Sequence, residues 1–291
     1  METFFSNILV PVDFSINTDV AIEKAIWLAV PGSSIVHLLH VQKRISKTRD
    51  DLIDGLSVAA FRPQVYSYEK AGTKLQQLKA KIEMSSHNLT VATHIIQDED
   101  VQKGITCFGK QLHPSLIIIA ESSSYKRFPF FKKVNISALA KQTNCPVLTV
   151  KPGSRPNRMK SVVLPVRSFV PERKIELLSA LTRNQRPVVH LVSMYNDECF
   201  NGRAGAFLDA YRTLSDYLGY PVEYKTLKGG NIAKALFEYA QFIMADFIIV
   251  NPGEETKISA IYGTDVSDIV TPDSRLCVLM AEPFPSKNLR E

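Results

Sequence analysis

The sequence has little cysteine. Its four cysteines, at positions 107, 145, 199 and 277 of a 291-residue chain, lie far apart. No close pair forms a redox or zinc motif, and a chain long enough to bury a large core does not need a disulfide framework. We therefore expect buried free thiols.

The sequence also lacks any long apolar run. No stretch approaches the roughly 20 residues that a membrane helix needs, and the first residues lack the basic start and apolar core of a signal peptide. These absences predict a cytoplasmic protein without a membrane partner. The net charge of +6 and the isoelectric point near 9.0 favour anion binding in general, but charge alone does not select nucleic acid, and we do not expect it as a partner.

No recognisable catalytic or metal-binding group is present. The sequence offers no nucleophile with a base and no cluster of carboxylates. His37 and His40 lie three apart on a predicted strand and so point to opposite faces. His190 takes the place of His37 in the second half, which indicates a role in packing, and His87, His94 and His113 are scattered. We predict no catalytic residue, no metal ligand and no enzyme.

What the sequence does contain is a repeat. The segment Ser6–Ser15 returns as Lys160–Phe169, with Asp13 replaced by Arg167. Each copy is a short apolar strand followed by a charged residue, at the edge where open α/β sheets bind ligands. The two halves thus differ in charge at a chemically sensitive position.

Strand and helix patterns alternate in both halves, which predicts a mostly parallel sheet with helices on both faces. We predict a first domain over 1–151, a linker over 152–159 with two prolines and a glycine, and a second domain over 160–291. The predicted strands are 8–12, 35–41, 90–96, 116–120 and 146–150, then 162–166, 188–193, 222–227, 247–251 and 276–281. The predicted helices are 18–30, 66–87, 99–112 capped by Asp98, and 134–142, then 171–183, 203–218, 231–244 and 264–270.

Three segments carry a resemblance to a known family. They are the strand and turn 8–15, the strand His37–Val41 and the strand Cys145–Val150. Small and apolar residues also fall at matching places in the first helix, at Thr18, Ala21, Ala25, Leu28 and Ala29. In this order and spacing, nearly the whole chain resembles the universal stress protein (UspA) family in its tandem form. The resemblance implies two doubly wound domains of adenine nucleotide alpha hydrolase-like fold, each with five strands, whose last strands pair as an intrachain pseudo-dimer.

The same resemblance implies an ATP site. Family members that bind ATP place an acid like Asp13 and a residue like Val41 around the adenosine, and hold the phosphates with Gly-x2-Gly-x9-Gly-Ser/Thr after the fourth strand. Glycines there let backbone N–H groups approach the phosphates, at the start of a helix. In the first half these positions read Ala120, Ser123, Lys133 and Val134, so none of the glycines is present.

Other groups near this loop could still hold an anion. Ser122 and Ser123 offer hydroxyl donors, and the segment from Lys126 to Lys133 combines four cations with three aromatic rings. The role of this basic aromatic segment stays open: its rings could pack on the domain or on a second subunit.

The second half departs from the family's phosphate-binding pattern in a different way. It keeps Gly253 and the pair Gly263 and Thr264. The first glycine position falls on Val250, or on Asn251 if the two halves are aligned with Ser115 opposite Asp246. A helix starting at Thr264 could bind an anion. Arg167 would then meet a phosphate, or pair with Asp265 or Glu254.

Asp13 itself has two interpretations. It could accept hydrogen bonds from a ribose or an adenine, or it could cap the following turn through backbone N–H groups without any ligand. The sequence leaves both open.

These observations lead to two hypotheses about function. We predict a stress-response regulatory or binding protein with a degenerate ATP site in both halves, acting through protein contacts or a small anionic ligand. The alternative is a nucleotide-binding switch with residual ATP or AMP affinity and at most slow hydrolysis. No cofactor is predicted firmly: ATP or AMP stays open as a ligand, and so does a further homodimer.

Overall fold

The computed structural model describes residues 4–43, 68–86, 88–120, 134–154, 157–166, 170–183, 185–195, 203–219, 221–228, 232–251 and 275–281. Several predicted features lie outside these ranges. They are the basic aromatic segment, Arg167, Cys199, the helix 264–270, and the site candidates Ser122, Ser123, Gly253, Gly263 and Thr264.

The described residues alternate between strands and helices, as predicted. The strands are β1 Asn7–Pro11, β2 Ile35–Lys43, β3 Thr90–Asp98, β4 Leu116–Ala120, β5 Val147–Val150, β6 Ser161–Val166, β7 Val188–Tyr195, β8 Val222–Lys228, β9 Phe247–Val250 and β10 Cys277–Met280. The helices are α1 Ile16–Leu28, α2 Tyr68–Ser85, α3 Val101–Leu112, α4 Ile136–Thr143, α5 Glu172–Thr182, α6 Arg203–Leu218 and α7 Ile232–Phe242. Most ends differ from the predicted ones by one or two residues, which is usual where helices and strands fray.

The strands form one continuous sheet of ten, in the order β3-β2-β1-β4-β5-β10-β9-β6-β7-β8. Within each half all neighbouring strands are parallel. The halves meet where β10 pairs with β5 antiparallel, with Leu279 opposite Leu148. The predicted parallel α/β fold is confirmed, whereas the exact domain and linker bounds remain predictions.

Helices cover both faces of the sheet. One face, called here the α1 face, packs α1, α2, α5 and α6 through residues such as Ala21, Leu75, Leu177 and Leu214. The opposite α3 face packs α3, α4 and α7 through Ile105, Leu139 and Leu236. Burial on both faces explains why strands such as β4 read as continuous apolar runs.

Polar groups are buried where the two halves meet. Lys24 of α1 is 1% exposed, and its Nζ donates to the Ser154 carbonyl at 2.9 Å. Its pKa is lowered by burial, which outweighs the opposing influence of Cys277 and Asp246; burial likewise raises the pKa of Cys277. Residues Pro152–Ser154 form one turn of 3-10 helix, so the predicted linker begins as a packed segment.

Two local predictions are wrong. The N-cap of α3 is Asp100, whose side chain accepts from the Lys103 N–H; Asp98 instead accepts from the Asp100 N–H at 3.1 Å. Cys107 is exposed, because it lies on the outer side of α3, whereas Cys145 and Cys277 are buried as expected. Among the helices that the structure describes, none is both long and apolar enough to cross a membrane.

Candidate functional site

The candidate nucleoside site lies where β1 and β2 end. The two strands are parallel, so their carboxyl ends share one edge of the sheet. The Val12 N–H continues the pairing by donating to the Leu39 carbonyl at 2.8 Å. Asp13 comes directly after Val12 at the end of β1, and Val41 lies two residues past Leu39 on β2.

Local hydrogen bonds hold the Asp13 carboxylate. Its Oδ1 accepts from the Ser15 N–H at 2.9 Å, from the Ser15 hydroxyl at 2.6 Å and from the Thr18 hydroxyl at 2.7 Å. The Asp13 N–H in turn donates to Thr18 Oγ1 at 3.2 Å. The carboxylate thus closes the turn that leads into α1, which is the structural role that the sequence left open for it.

Phe14 takes an unusual conformation in this turn. Its φ of 60° lies in the left-handed region, which disfavours a bulky side chain. The ring packs against His40 at 4.7 Å between centroids, and Lys74 Nζ of α2 lies 5.3 Å from the ring centroid. His40 Nδ1 lies 2.9 Å from the Val12 carbonyl oxygen, and burial lowers the pKa of His40. These contacts hold the turn in place.

Val41 packs against the protein itself. Its side chain is buried on the α3 face, and Gly104 of α3 approaches so closely that a Cβ there would lie 2.8 Å from Val41 Cγ1. The side chain therefore forms part of the core as well as part of the edge where β2 ends.

The register of the sheet decides between the two alignments of the second half. The Ser115 N–H donates to the Asn7 carbonyl, and the Asp246 N–H donates to the Ser161 carbonyl, so Ser115 and Asp246 take equivalent places. Counting from there, Asn251 rather than Val250 matches Ala120 at the first glycine position. The loop to Gly263 is then one residue shorter than the family spacing.

A histidine pair lies beneath α3 in the first half. His37 Nδ1 is 3.1 Å from His94 Nε2, and His37 Nε2 is 3.2 Å from Asn7 Oδ1. Burial, with a smaller contribution from His94, lowers the pKa of His37 to about 4, and burial also lowers the pKa of His94. The sequence had left His94 as one of several scattered histidines.

His190 occupies the matching place in the second half, as the repeat predicted. It pairs opposite Val163 on β6, just as His37 pairs opposite Leu9 on β1. Its Nδ1 lies 3.1 Å from the Tyr239 hydroxyl and 3.4 Å from Glu223 Oε2. Burial lowers the pKa of His190 despite this carboxylate, so the histidine is a neutral packing group near pH 7.

Metal binding finds no support in the part of the chain that the structure describes, where no three histidine, cysteine or carboxylate side chains come together. His37 and His94 form a pair only.

Comparison with known proteins identifies the family. The model of the Universal stress protein family matches residues 5–151, just over half of the chain. The chain belongs to the universal stress protein family. No curated protein sequence matches it.

Several solved structures share its fold over nearly the full length. A universal stress protein from Archaeoglobus fulgidus DSM 4304 is 17% identical with a TM-score of 0.65, and the match covers 97% of this chain and 98% of that one. A functionally unknown protein from Pseudomonas aeruginosa PAO1 is 16% identical with a TM-score of 0.61, covering 96% and 93%. A putative universal stress protein from Pseudomonas aeruginosa UCBPP-PA14 is 15% identical with a TM-score of 0.58, covering 96% and 94%. At these identities the likeness shows the fold alone.

Sequence reasoning missed the partners of Asp13. An aspartate just after a strand can form an Asx turn with the N–H two residues on, and hydroxyl side chains shortly after it can donate to the same carboxylate. That pattern was readable at Ser15 and Thr18. The pairing of His37 with His94 had no comparable local signal, because it depends on the register of β2 against β3.

Proposed function

We propose that this universal stress protein is a stress-response regulatory protein that acts by binding, with the ATP site degenerate in both halves. The observation that carries the proposal is the engagement of Asp13, whose Oδ1 accepts three hydrogen bonds from Ser15 and Thr18. A nucleoside hydroxyl or amine would have to share a carboxylate that already closes a turn.

The phosphate positions support the same proposal from the sequence. Ala120 stands at the first glycine position of the first half and Asn251 at that of the second. A side chain at these places hinders the close approach of backbone N–H groups to phosphate oxygens. Protein contacts or a small anionic ligand would then replace ATP as the bound partner.

A nucleotide-binding switch is the second candidate. Asp13 is present at the end of β1, and Val41 lies at the same edge of the sheet, so the adenosine half of a site has its expected residues. Residual binding of ATP or AMP, with at most slow hydrolysis, would follow from that half alone.

Thermal unfolding with nucleotides separates the two candidates. A ligand at 100 times its dissociation constant adds about 2.7 kcal/mol of stability, so a working switch would show a clear rise in melting temperature with millimolar ATP or AMP. We expect no rise that depends on Asp13.

Matched variants make this result specific. Asp13→Asn removes the β1 carboxylate, and Asp19→Asn removes an acid from the first turn of α1. A saturable shift that disappears in D13N and persists in D19N would overturn the degenerate site and establish the switch.

A further inference from the structure

A second groove lies in the second half, six strands along the sheet from β1, where strands β7 and β8 begin. It opens between the C-terminal ends of α5 and α6 and has a volume of about 570 Å³. Its lining includes Arg183, Gln185 and Arg186 from the connection after α5, and Tyr217 and Leu218 from the end of α6. Within the second half this is the edge where the strands begin, whereas the family's nucleotide site is at the edge where the strands of a half end.

Among the described residues, two guanidinium groups line the groove and no carboxylate does, so the charge that these residues supply is positive. Within the described ranges neither arginine has an ion-pair partner, and both side chains are exposed. The nearby hydroxyls of Ser179 and Thr182 donate to carbonyls of their own helix, so the arginines are the principal donors available to an anion.

The first half shows that the fold does not require these arginines. Asn7 pairs with Ile35 and Ser161 with Val188, which makes the starts of β2 and β7 equivalent. Counting back from these strand starts, the position of Arg186 is equivalent to that of Ser33 in the first half, and the position of Arg183 to that of Val30. The charge is therefore a feature of the second half alone.

The corresponding turn in the first half is held by uncharged hydrogen bonds instead. The Gly32 N–H donates to the Asn88 carbonyl at 2.7 Å, and the Val30 N–H donates to the Ser34 hydroxyl at 2.8 Å. No cation takes part in either contact.

The shape of the groove indicates more than a bare ion. Its volume falls within the roughly 300–1,000 Å³ of small-molecule sites, far more than one phosphate fills. Tyr217 is 60% exposed at its wall, and Leu218 adds a partly buried apolar surface. A planar ring can stack on the tyrosine while guanidinium forks hold an anionic head.

We propose that this groove binds a small aromatic phosphate monoester. Arg183 and Arg186 bind the phosphate, and Tyr217 contacts the ring. The site is independent of the carboxyl edge of β1, so it can exist whether or not the ATP site is degenerate.

Phenyl phosphate is a suitable probe, because it has the phosphate and the ring but no nucleoside for Asp13 to recognise. Titration calorimetry at low ionic strength should show saturable binding, about tenfold or more tighter than binding of phenol or of inorganic phosphate, since each lacks one of the two contacts. Binding equally tight for inorganic phosphate would overturn the proposal, as would no saturable binding of phenyl phosphate.

Variants assign the binding to the groove. The double variant R183Q/R186Q should weaken phenyl phosphate binding about tenfold or more, and Y217L by a smaller factor of about fivefold. Arg212→Gln is the matched control, because Arg212 is an exposed arginine on α6 that lies 3.9 Å from Asp209 and does not line the groove. Loss of binding in R212Q equal to that in the double variant would contradict the assignment.

A last comparison separates this site from the proposed function. Asp13→Asn should leave phenyl phosphate binding unchanged. Equal unfolding midpoints for the parent chain, R183Q/R186Q, Y217L and R212Q without ligand would show that these exposed substitutions leave the fold intact, so a loss of binding reports the site. If D13N abolishes phenyl phosphate binding, the groove is not the site.

Discussion

At the scale of single residues, we expect the contact of buried His37 with half-buried His94 to make the first half sensitive to acid. His37 contacts His94 and Asn7 through its two ring nitrogens, which leaves no nitrogen free for solvent. Burial favours the neutral ring, so its pKa falls from 6.5 to about 4. Protonation therefore occurs more readily in the unfolded chain than in the folded one.

The sign of the pH dependence follows from that difference. Between about pH 4 and pH 6.5 the unfolded chain binds a proton at His37 and the folded chain does not, so the free energy of unfolding falls as the pH is lowered through this window. One such group contributes a slope of up to about 1.4 kcal/mol per pH unit. Denaturant unfolding at several pH values would measure this slope.

Two variants test whether His37 causes this pH dependence of stability. His37→Gln should be less stable at pH 7 but should lose less stability between pH 6.5 and pH 4 than the parent chain. His113→Gln, at the exposed end of α3, should keep the parent slope. An unchanged slope in H37Q would mean that other groups cause the acid sensitivity.

At the scale of elements, the close approach of α3 to the sheet links the core to the candidate site. Gly104 lies over Val41 and Ile96, and a Cβ at this glycine would be 2.8 Å and 3.2 Å from their side-chain atoms. Val41 is buried and β-branched, so it has little freedom to move away. The glycine is needed here for space.

Two glycine substitutions should therefore act in opposite directions. Gly104→Ala should destabilise the protein by about 1–3 kcal/mol through overpacking, despite the gain in helix propensity. Gly72→Ala on α2 meets only Ile95 at an ordinary 3.8 Å and should stabilise by about 0.5–1 kcal/mol. Chemical denaturation measures both. A neutral G104A would mean that α3 shifts outward easily.

At the scale of the whole molecule, the two halves share their structural support. The sheet runs through both halves across the β5–β10 pairing, and each of its two apolar faces contains residues of both halves. Trp27 of α1 packs 6.0 Å from Phe247 of β9, and Lys24 binds the connecting segment. Neither half keeps these contacts when the other unfolds.

We therefore expect one cooperative unfolding transition. In scanning calorimetry the calorimetric and van't Hoff enthalpies should agree. Leu279→Ala, at the strand pair that joins the halves, should lower the stability of that single transition by about 2–5 kcal/mol. Leu208→Ala, on the exposed side of α6, should change it little. Two transitions, of which L279A shifts only one, would show that the halves unfold independently.

The sequence by itself determined the repeat, the order of strands and helices, and the family. Apolar runs such as β4 and helical patterns such as α6 are local properties of the chain, so their type and position were readable from residue spacing. The sequence also showed that the phosphate-binding glycines are absent from the first half, because their absence follows directly from which residues occupy those positions.

Only the tertiary structure decided which side chains meet. The continuous ten-stranded sheet with its β5–β10 register, the His37–His94 pair and the close contact of Gly104 with Val41 all join residues far apart in sequence. The grouping of Arg183, Arg186 and Tyr217 around one groove has the same origin. Such contacts depend on strand register and helix packing, which local spacing does not specify. The sequence therefore identified the carboxylate at the end of β1, and packing showed that Ser15 and Thr18 hold it.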